Sequence, residues 1–172
     1  CKKACLLLSL LFSSYFINAQ NISEFQKGFQ LYIQPTTDKI KIDGILDEPV
    51  WATTDVAKNF VKKFPNDIGV PQRQTEVRFT YDNENIYFGF KVYDSGAAIS
   101  RSLKRDFGNE GNDVVGIMMD PLNKKTNGFY FLLSALNVQS EDQLSLSFQD
   151  KPTWSWDTKW FSATKDYGTY WI

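Results

Sequence analysis

Residues 75–93 read TEVRFTYDNENIYFGFKVY, and this stretch decides the fold. In its first part apolar and polar residues alternate, so Val77 and Phe79 share one face of an extended strand. The sequence DNEN at 82–85 is rich in turn-forming residues, and the alternation resumes with Phe88. The pattern predicts an antiparallel β-hairpin.

Similar runs of alternating residues occur on both sides of this hairpin. They predict strands at residues 31–33, 59–64, 114–119, 128–137, 144–148, 160–164 and 169–172. The 114–119 run is apolar on both faces, which predicts a central strand. One short helix is expected from Asp47 to Thr53, with Asp47 as its N-cap and Pro49 in its first turn. About eight or nine short strands with one helix indicate an all-β, antiparallel β-sandwich.

The composition excludes several kinds of catalytic and metal sites. The 172 residues include no histidine, which removes histidine-dependent triads, histidine general bases and histidine-ligated zinc. The only cysteines are Cys1 and Cys5, so the rest of the chain has no thiol nucleophile and no disulfide. Lysine and arginine number 19 against 20 acidic residues, with no basic patch, so nucleic-acid binding has little support.

The first residues have the pattern of a secretory signal. Lys2 and Lys3 precede an apolar run, and Asn18-Ala19 provides the small-residue ending of a cleavage site. We therefore predict a signal peptide at 1–19, a lead-in at 20–34, and export to the periplasm, the outer membrane or the extracellular space. A membrane anchor is the alternative, although the apolar run is short for a membrane span. The chain begins without methionine and stops inside a predicted strand, which we interpret as a fragment of a longer protein.

Five short motifs occur in the order found in family 9 carbohydrate-binding modules. They are IDGILDEPVW at 42–51, YDNENIYF at 81–88, RD at 105–106 followed by DVVGIMMDP at 113–121, GFYF at 128–131, and WDTKW at 156–160. The chain resembles that family over almost all of the predicted mature region. It is most similar to the N-terminal domains of large envelope proteins of Gram-negative bacteria, in which the module precedes a long C-terminal region, expected to be an outer-membrane barrel.

The resemblance implies a fold, a function and partners. The fold would be a jelly-roll sandwich over residues 35–172 with its last strand truncated. The function would be non-catalytic binding of a poly- or oligosaccharide, linked to polysaccharide capture or catabolism. The second partner would be the protein's own C-terminal membrane domain. The chain departs from the family's sugar clamp, because Glu110 stands in place of one clamping tryptophan and Leu132 in place of an arginine. The other clamping tryptophan would lie beyond Ile172.

The densest aromatic cluster is the first candidate site. Trp154 and Trp156 share one face of an extended chain, and Trp160 follows closely. Aromatic rings suit the apolar faces of sugars, and Ser155, Asp157 and Gln149 provide polar neighbours. With Arg105 of the RD motif, these tryptophans are the predicted sugar-binding residues. The alternative is that the tryptophans cover the core or an adjoining domain.

A loop rich in carboxylates is the second candidate site. Oxygen ligands in a glycine-containing loop suit Ca²⁺, and related modules carry structural calcium, so we predict a calcium site. Its predicted ligands are Asp106, Glu110, Asp113 and Asp120. The alternative is that these carboxylates cap turns and pair with Arg105. No pair of acids lies in a recognisable glycosidase motif, so the fragment is not expected to be an enzyme.

Two functions from different classes follow from these patterns. The favoured one is a carbohydrate-binding domain of a secreted or outer-membrane protein. The other is a structural or interaction domain that keeps the sandwich without binding sugar and packs on a C-terminal outer-membrane barrel. Exposed tryptophans beside a groove would favour the first function, and buried ones the second.

Overall fold

The computed structural model describes residues 29–62, 69–108, 111–145 and 156–172. Its elements are short strands in two mainly antiparallel sheets and one helix of five residues. The prediction of an all-β sandwich with one short helix is therefore confirmed, and the jelly-roll topology stays a prediction. Within the described ranges no helix is long and apolar enough to cross a membrane.

The predicted hairpin is the centre of the first sheet. Strands β3 (Thr75–Tyr81) and β4 (Ile86–Tyr93) pair antiparallel along their whole length. Phe79 lies opposite Phe88, and their rings meet edge to face with centroids 5.0 Å apart. At the turn, the backbone N–H groups of Glu84 and Asn85 both donate to Oδ1 of Asp82 at 2.8 Å, which closes the connection between the strands.

Short strands complete this sheet on both sides of the hairpin. β1 (Gln34–Pro35) pairs parallel with the end of β3, and β2 (Val56–Ala57) pairs antiparallel with its middle. β8 (Tyr170–Trp171) pairs antiparallel with the end of β4. The predicted strands at 31–33 and 59–64 are wrong for the residues described. The ladder with β3 instead begins at Gln34, and Asn59 has a left-handed φ of 62° that ends the extended run after β2.

The second sheet has the order β5-β6-β7, with β5 (Val114–Met119), β6 (Asn127–Ser134) and β7 (Gln139–Ser145). β5 therefore lies at an edge of the described sheet rather than at its centre, and its apolar outer face is solvent-facing: Met118 is 76% exposed. The chain leaves β6 earlier than predicted, because Asn137 adopts a φ of 60° and reverses the chain toward β7.

Two other predicted strands differ from the structure. The segment at 160–164 forms no ladder. Bonds to β7 and to the turn after β6 hold it instead: the Gln139 amide donates to the Trp160 carbonyl at 3.3 Å, and Thr164 Oγ1 donates to the Ala135 carbonyl at 3.0 Å. The predicted strand at 144–148 is described only to Ser145, where it is the end of β7. Residues 146–148 lie outside the described ranges.

Helix α1 (Pro49–Thr53) begins one residue later than predicted. Its N-cap residue is Glu48 rather than Asp47, and the side chain of Glu48 makes no capping bond. The cap comes from a distant residue: Oδ2 of Asp38 accepts a 2.9 Å hydrogen bond from the Val50 N–H, one of the donors that the first helical turn leaves unpaired. This frees the Glu48 carboxylate for other partners.

Glycine at position 128 allows β5 and β6 to lie close together. A Cβ atom there would lie 2.5 Å from the backbone oxygen of Met119, and backbone cannot move aside as a side chain can. We expect Gly128→Ala to lower the free energy of unfolding by about 2–3 kcal/mol, as overpacked sites do. Urea denaturation measures this loss.

Gly108→Ala is the matched control, because no atom lies within 4 Å of a Cβ at that position. Its urea midpoint should equal that of the parent protein. An equal midpoint for Gly128→Ala would contradict the close approach of β5 to β6.

Candidate functional site

The site lies where the aromatic residues of β6 meet the polar residues of β7. In the antiparallel register Phe131 pairs with Glu141, and Leu133 pairs with Gln139. Directly paired residues project from the same face of a sheet, so the two polar side chains lie beside an apolar row. Residues 156–162 run across this face.

Both described tryptophans of the predicted cluster pack on β6. The Trp156 ring lies 4.6 Å from Phe129, centroid to centroid, and meets Phe131 edge-on at 5.9 Å. The Trp160 ring meets Phe131 edge-on at 5.5 Å. Both tryptophans are half-buried. Each ring therefore has a packed side and keeps some surface in solvent. Trp154 and two of its predicted polar neighbours, Ser155 and Gln149, lie outside the described residues.

Arg105 connects its own loop to two other segments of the chain. Its Nη2 donates to Glu141, to Oδ1 of Asp157 at 3.1 Å and to the Thr158 carbonyl at 3.0 Å. Its Nη1 donates to Oε1 of Gln139 at 2.8 Å. We call Arg105, Gln139, Glu141, Asp157 and Trp160 the Arg105 cluster. It ties the loop before β5, strand β7 and the 156–162 segment together.

The loop geometry next to Arg105 explains how it reaches β7. The backbone N–H of Asp106 donates to the Gln139 carbonyl at 3.0 Å, and Asp106 has a left-handed φ of 59°. Phe107 follows with only 5% of its surface exposed. A backbone bond on one side and a buried phenyl ring on the other fix the position from which Arg105 extends.

The two carboxylates that share Arg105 differ sharply in exposure. The Glu141 side chain is 1% exposed, and it also accepts a 2.9 Å hydrogen bond from Nε1 of Trp160. The Asp157 side chain is 83% exposed and that of Arg105 is 42% exposed. Glu141 is therefore a structural anchor of the cluster, whereas Asp157 and Arg105 present polar atoms to solvent.

The charges of the cluster reinforce each other. Burial alone would lower the pKa of Arg105, but the neighbouring Glu141 and Asp157 raise it above its ordinary value. Its side-chain interactions with Glu141 and then with Arg105 hold the pKa of Asp157 below its ordinary value. Asp157 and Arg105 are thus both charged at neutral pH, which suits them to bind hydroxyl groups by charge-assisted hydrogen bonds.

The structure thus brings together most of the predicted sugar-binding residues. Arg105, Trp156, Trp160 and the neighbouring Asp157 converge, although Arg105 precedes Asp157 by 52 residues in the chain. Sequence reasoning missed Gln139 and Glu141. The sequence pattern that indicates them is the polar, acidic stretch QSEDQ at 139–143, which forms a strand of the sandwich. Acidic residues in such a strand are rarely buried without partners.

The predicted calcium ligands that the structure describes serve separate loops. Asp113 accepts the Ile99 N–H at 2.8 Å and lies 3.5 Å from Arg73. Asp120 accepts the Lys124 and Lys125 N–H groups at 3.2 and 2.7 Å, and these backbone bonds lower its pKa. Within the described ranges no three acids, cysteines or histidines converge. Glu110 lies outside those ranges, and calcium binding stays a prediction.

Comparisons of the chain with protein-family models, with curated proteins and with solved structures gave no match.

Proposed function

We propose that this domain is a non-catalytic carbohydrate-binding module, and that saccharide binds at the Arg105 cluster. The observation that carries the proposal is the convergence of exposed, charged Arg105 and Asp157 beside the half-buried rings of Trp156 and Trp160. Saccharide sites combine these two elements: an aromatic surface for the apolar face of the sugar ring, and a few fixed polar groups for its hydroxyls.

The geometry of Arg105 suits this role. Its guanidinium is already fixed by Gln139, Glu141 and Thr158, so little side-chain entropy remains to be lost when a sugar hydroxyl binds. Asp157 accepts hydrogen bonds, and Arg105 donates them, so the pair can engage adjacent hydroxyls of one sugar. In the wider proposal the domain is exported, belongs to an envelope protein with a C-terminal membrane domain, and aids polysaccharide capture or catabolism.

A second function, a structural or interaction domain, is favoured by a specific observation. Trp156 and Trp160 pack on Phe129 and Phe131, and the Trp160 indole N–H already donates to Glu141. This arrangement also stabilises the sheet without any ligand. Under this hypothesis the cluster binds no sugar, and its aromatic surface packs on a neighbouring domain.

Removing the exposed carboxylate of the cluster separates the two functions. A glycan array on the whole chain first identifies a bound saccharide. We then expect Asp157→Ala to weaken binding of that saccharide about tenfold, the loss of one or two hydrogen bonds to a charged group. Isothermal titration calorimetry measures the affinity.

Asp47→Ala is the matched control, because Asp47 is an exposed aspartate whose side chain makes no hydrogen bond or ion pair with the described residues. It should bind saccharide as the parent protein does. Unchanged affinity in Asp157→Ala would contradict binding at the Arg105 cluster, and an array without any bound glycan would favour the structural function.

A further inference from the structure

A groove of 590 Å³ lies between the two sheets and shares Trp160 with the Arg105 cluster. Its volume is in the range of about 300–1,000 Å³ that is usual for binding sites. Residues of β5 and β6 line one wall, and residues 40–42, 44–46 and 159–163 line the others. Most of these side chains are apolar. The lining also includes residues 86–90 of β4.

That stretch is an open edge of a sheet. β4 has eight residues, but β8 pairs only with its last two, Val92 and Tyr93. No other described strand pairs with this side of β4. The edge that faces the groove is therefore uncovered from Ile86 to Lys91.

The hydrogen bonds at the end of β4 fix which backbone groups face the groove. The Tyr93 N–H donates toward β3, to the Gln74 carbonyl, and the next N–H donates to the other side, from Asp94 to Thr169. In an antiparallel strand both polar groups of a residue point to one side, and the sides alternate along the strand. The N–H and C=O groups of Phe88 and Phe90 therefore point away from β3, where the described residues offer them no partner.

We propose that this edge binds an extended strand of another polypeptide, which adds to the sheet beside β4 in line with β8. Phe88 and Phe90 together present two donors and two acceptors at strand spacing in an apolar groove. Leaving such groups unpaired under an apolar ligand is unfavourable, and an acyl chain cannot pair with them. Another peptide backbone satisfies all of them, as in other cases of strand addition.

The walls of the groove define the side chains of the added strand. Every second side chain of the added strand points between the sheets, toward Ile117 and Leu133. The remaining side chains of the added strand lie on the same face of the first sheet as Gly89. Because Gly89 has no side chain, this face has room for Leu46 and Trp51. Both faces of the bound strand are therefore apolar near its centre.

The charged residues of the groove indicate which charge the bound peptide should carry. They are Lys41, Lys159 and Glu84. The Lys159 ammonium lies 5.2 Å from the centre of the Phe161 ring, and no carboxylate of the described residues lies within 4 Å of it. A carboxylate at one end of the bound peptide complements this lysine.

Amide hydrogen exchange of the whole chain tests the open edge directly. We expect the Phe88 and Phe90 amides to exchange fast and those of Tyr87, Gly89 and Lys91 to exchange slowly, because the latter three point toward β3. A synthetic octapeptide with four central valines, flanked by threonine and ending in glutamate, should then slow exchange at Phe88 and Phe90. Uniform slow exchange along β4 without peptide would overturn the proposal.

Two further comparisons separate strand pairing from burial of apolar surface. An octapeptide with N-methyl groups on its central valines keeps its apolar surface but loses backbone donors, and it should bind at least about tenfold more weakly. Equal binding of both peptides would overturn strand addition. Formation of a dimer through β4, detected by sedimentation, would also overturn it, because the edge would then be occupied by a second copy.

A pair of variants in β5 locates the peptide. Ile117→Trp fills the groove and should reduce binding of the octapeptide about tenfold or more, since it excludes the side chains that enter between the sheets. Met118→Trp adds the same ring to the opposite face, where Met118 is 76% exposed, and should bind as the parent protein does. Equal loss in both variants would place the peptide outside the groove and overturn the proposal.

Discussion

Replacing Trp51 by alanine is expected to remove about 3–5 kcal/mol from the free energy of unfolding, as truncation of a buried tryptophan commonly does. Trp51 is only 5% exposed and lies in helix α1, from which its ring reaches the bare backbone of Gly89 in β4. Its removal deletes a buried contact between the helix and the first sheet. Urea denaturation followed by circular dichroism measures the loss.

A hydrogen-bonded carboxylate fixes the orientation of this ring. Oε2 of Glu48 accepts a 2.8 Å bond from the Trp51 indole N–H, while Oε1 accepts a 2.8 Å bond from the Lys41 backbone. Trp51→Phe keeps most of the apolar area but leaves the Glu48 oxygen without its indole partner, so we expect a loss of about 1–2 kcal/mol. A loss in Trp51→Phe as large as in Trp51→Ala would contradict the assignment of most of the stabilisation to packing.

These contacts explain why the IDGILDEPVW motif predicts local structure well. Its acid and its tryptophan are three residues apart, one helical turn, so they meet without help from the rest of the fold. The DNEN turn and the period of two in β3 and β4 are equally local. Residues that interact over a few positions leave a pattern in the sequence, and the hairpin and the helix could both be predicted from it.

The position of β5 shows what local patterns cannot determine. An apolar run on both faces predicts a central strand, yet β5 is an edge of the described sheet, and Met118 faces solvent. Which strands become neighbours depends on contacts between distant parts of the chain. The period of a strand reports the burial of its faces but carries no information on its partners.

The candidate site contains residues that lie close in sequence and residues from distant parts of the chain. Trp154, Trp156 and Trp160 stand close in sequence, and the sequence predicts them as a cluster with Asp157 as a polar neighbour. Arg105 joins this segment through direct bonds to Asp157 and Thr158 and through Glu141 of β7, which is 36 residues from Arg105 in the chain. An acidic residue inside a strand, such as Glu141, indicates a buried carboxylate that needs a partner. Its arginine partner can be identified only when the register of β6 and β7 is known.

Trp160 connects this cluster to the groove between the sheets. Its indole N–H donates to Glu141, its ring packs edge-on against Phe131, and the same residue lines the groove. A change in the cluster that moves Trp160 therefore alters the groove wall. Saccharide binding and strand binding are separable by the variants described above, because Asp157 does not line the groove and Ile117 is not part of the Arg105 cluster.

Replacing Glu141 by alanine is the second substitution with a large expected effect: a loss of about 3 kcal/mol in the free energy of unfolding. Removing one member of a buried ion pair commonly costs about 3–5 kcal/mol. The lower end applies here, because Arg105 is 42% exposed and regains water when its partner is lost. The substitution also leaves the half-buried Trp160 N–H without its acceptor, which is unfavourable. Glu141→Gln keeps an acceptor, so its free energy of unfolding should lie between those of Glu141→Ala and the parent protein.

Asp157→Ala is the matched control for this substitution, because Asp157 binds the same guanidinium from a position that is 83% exposed. Exposed ion pairs contribute little to stability, so its urea midpoint should equal that of the parent protein within error. Parallel denaturation curves of the three variants measure the difference. If Asp157→Ala and Glu141→Ala shifted the midpoint equally, the anchoring of Arg105 would not depend on burial, and Glu141 would have no special structural role. The expected inequality instead assigns stability to the inner carboxylate and leaves the outer one free to bind ligand.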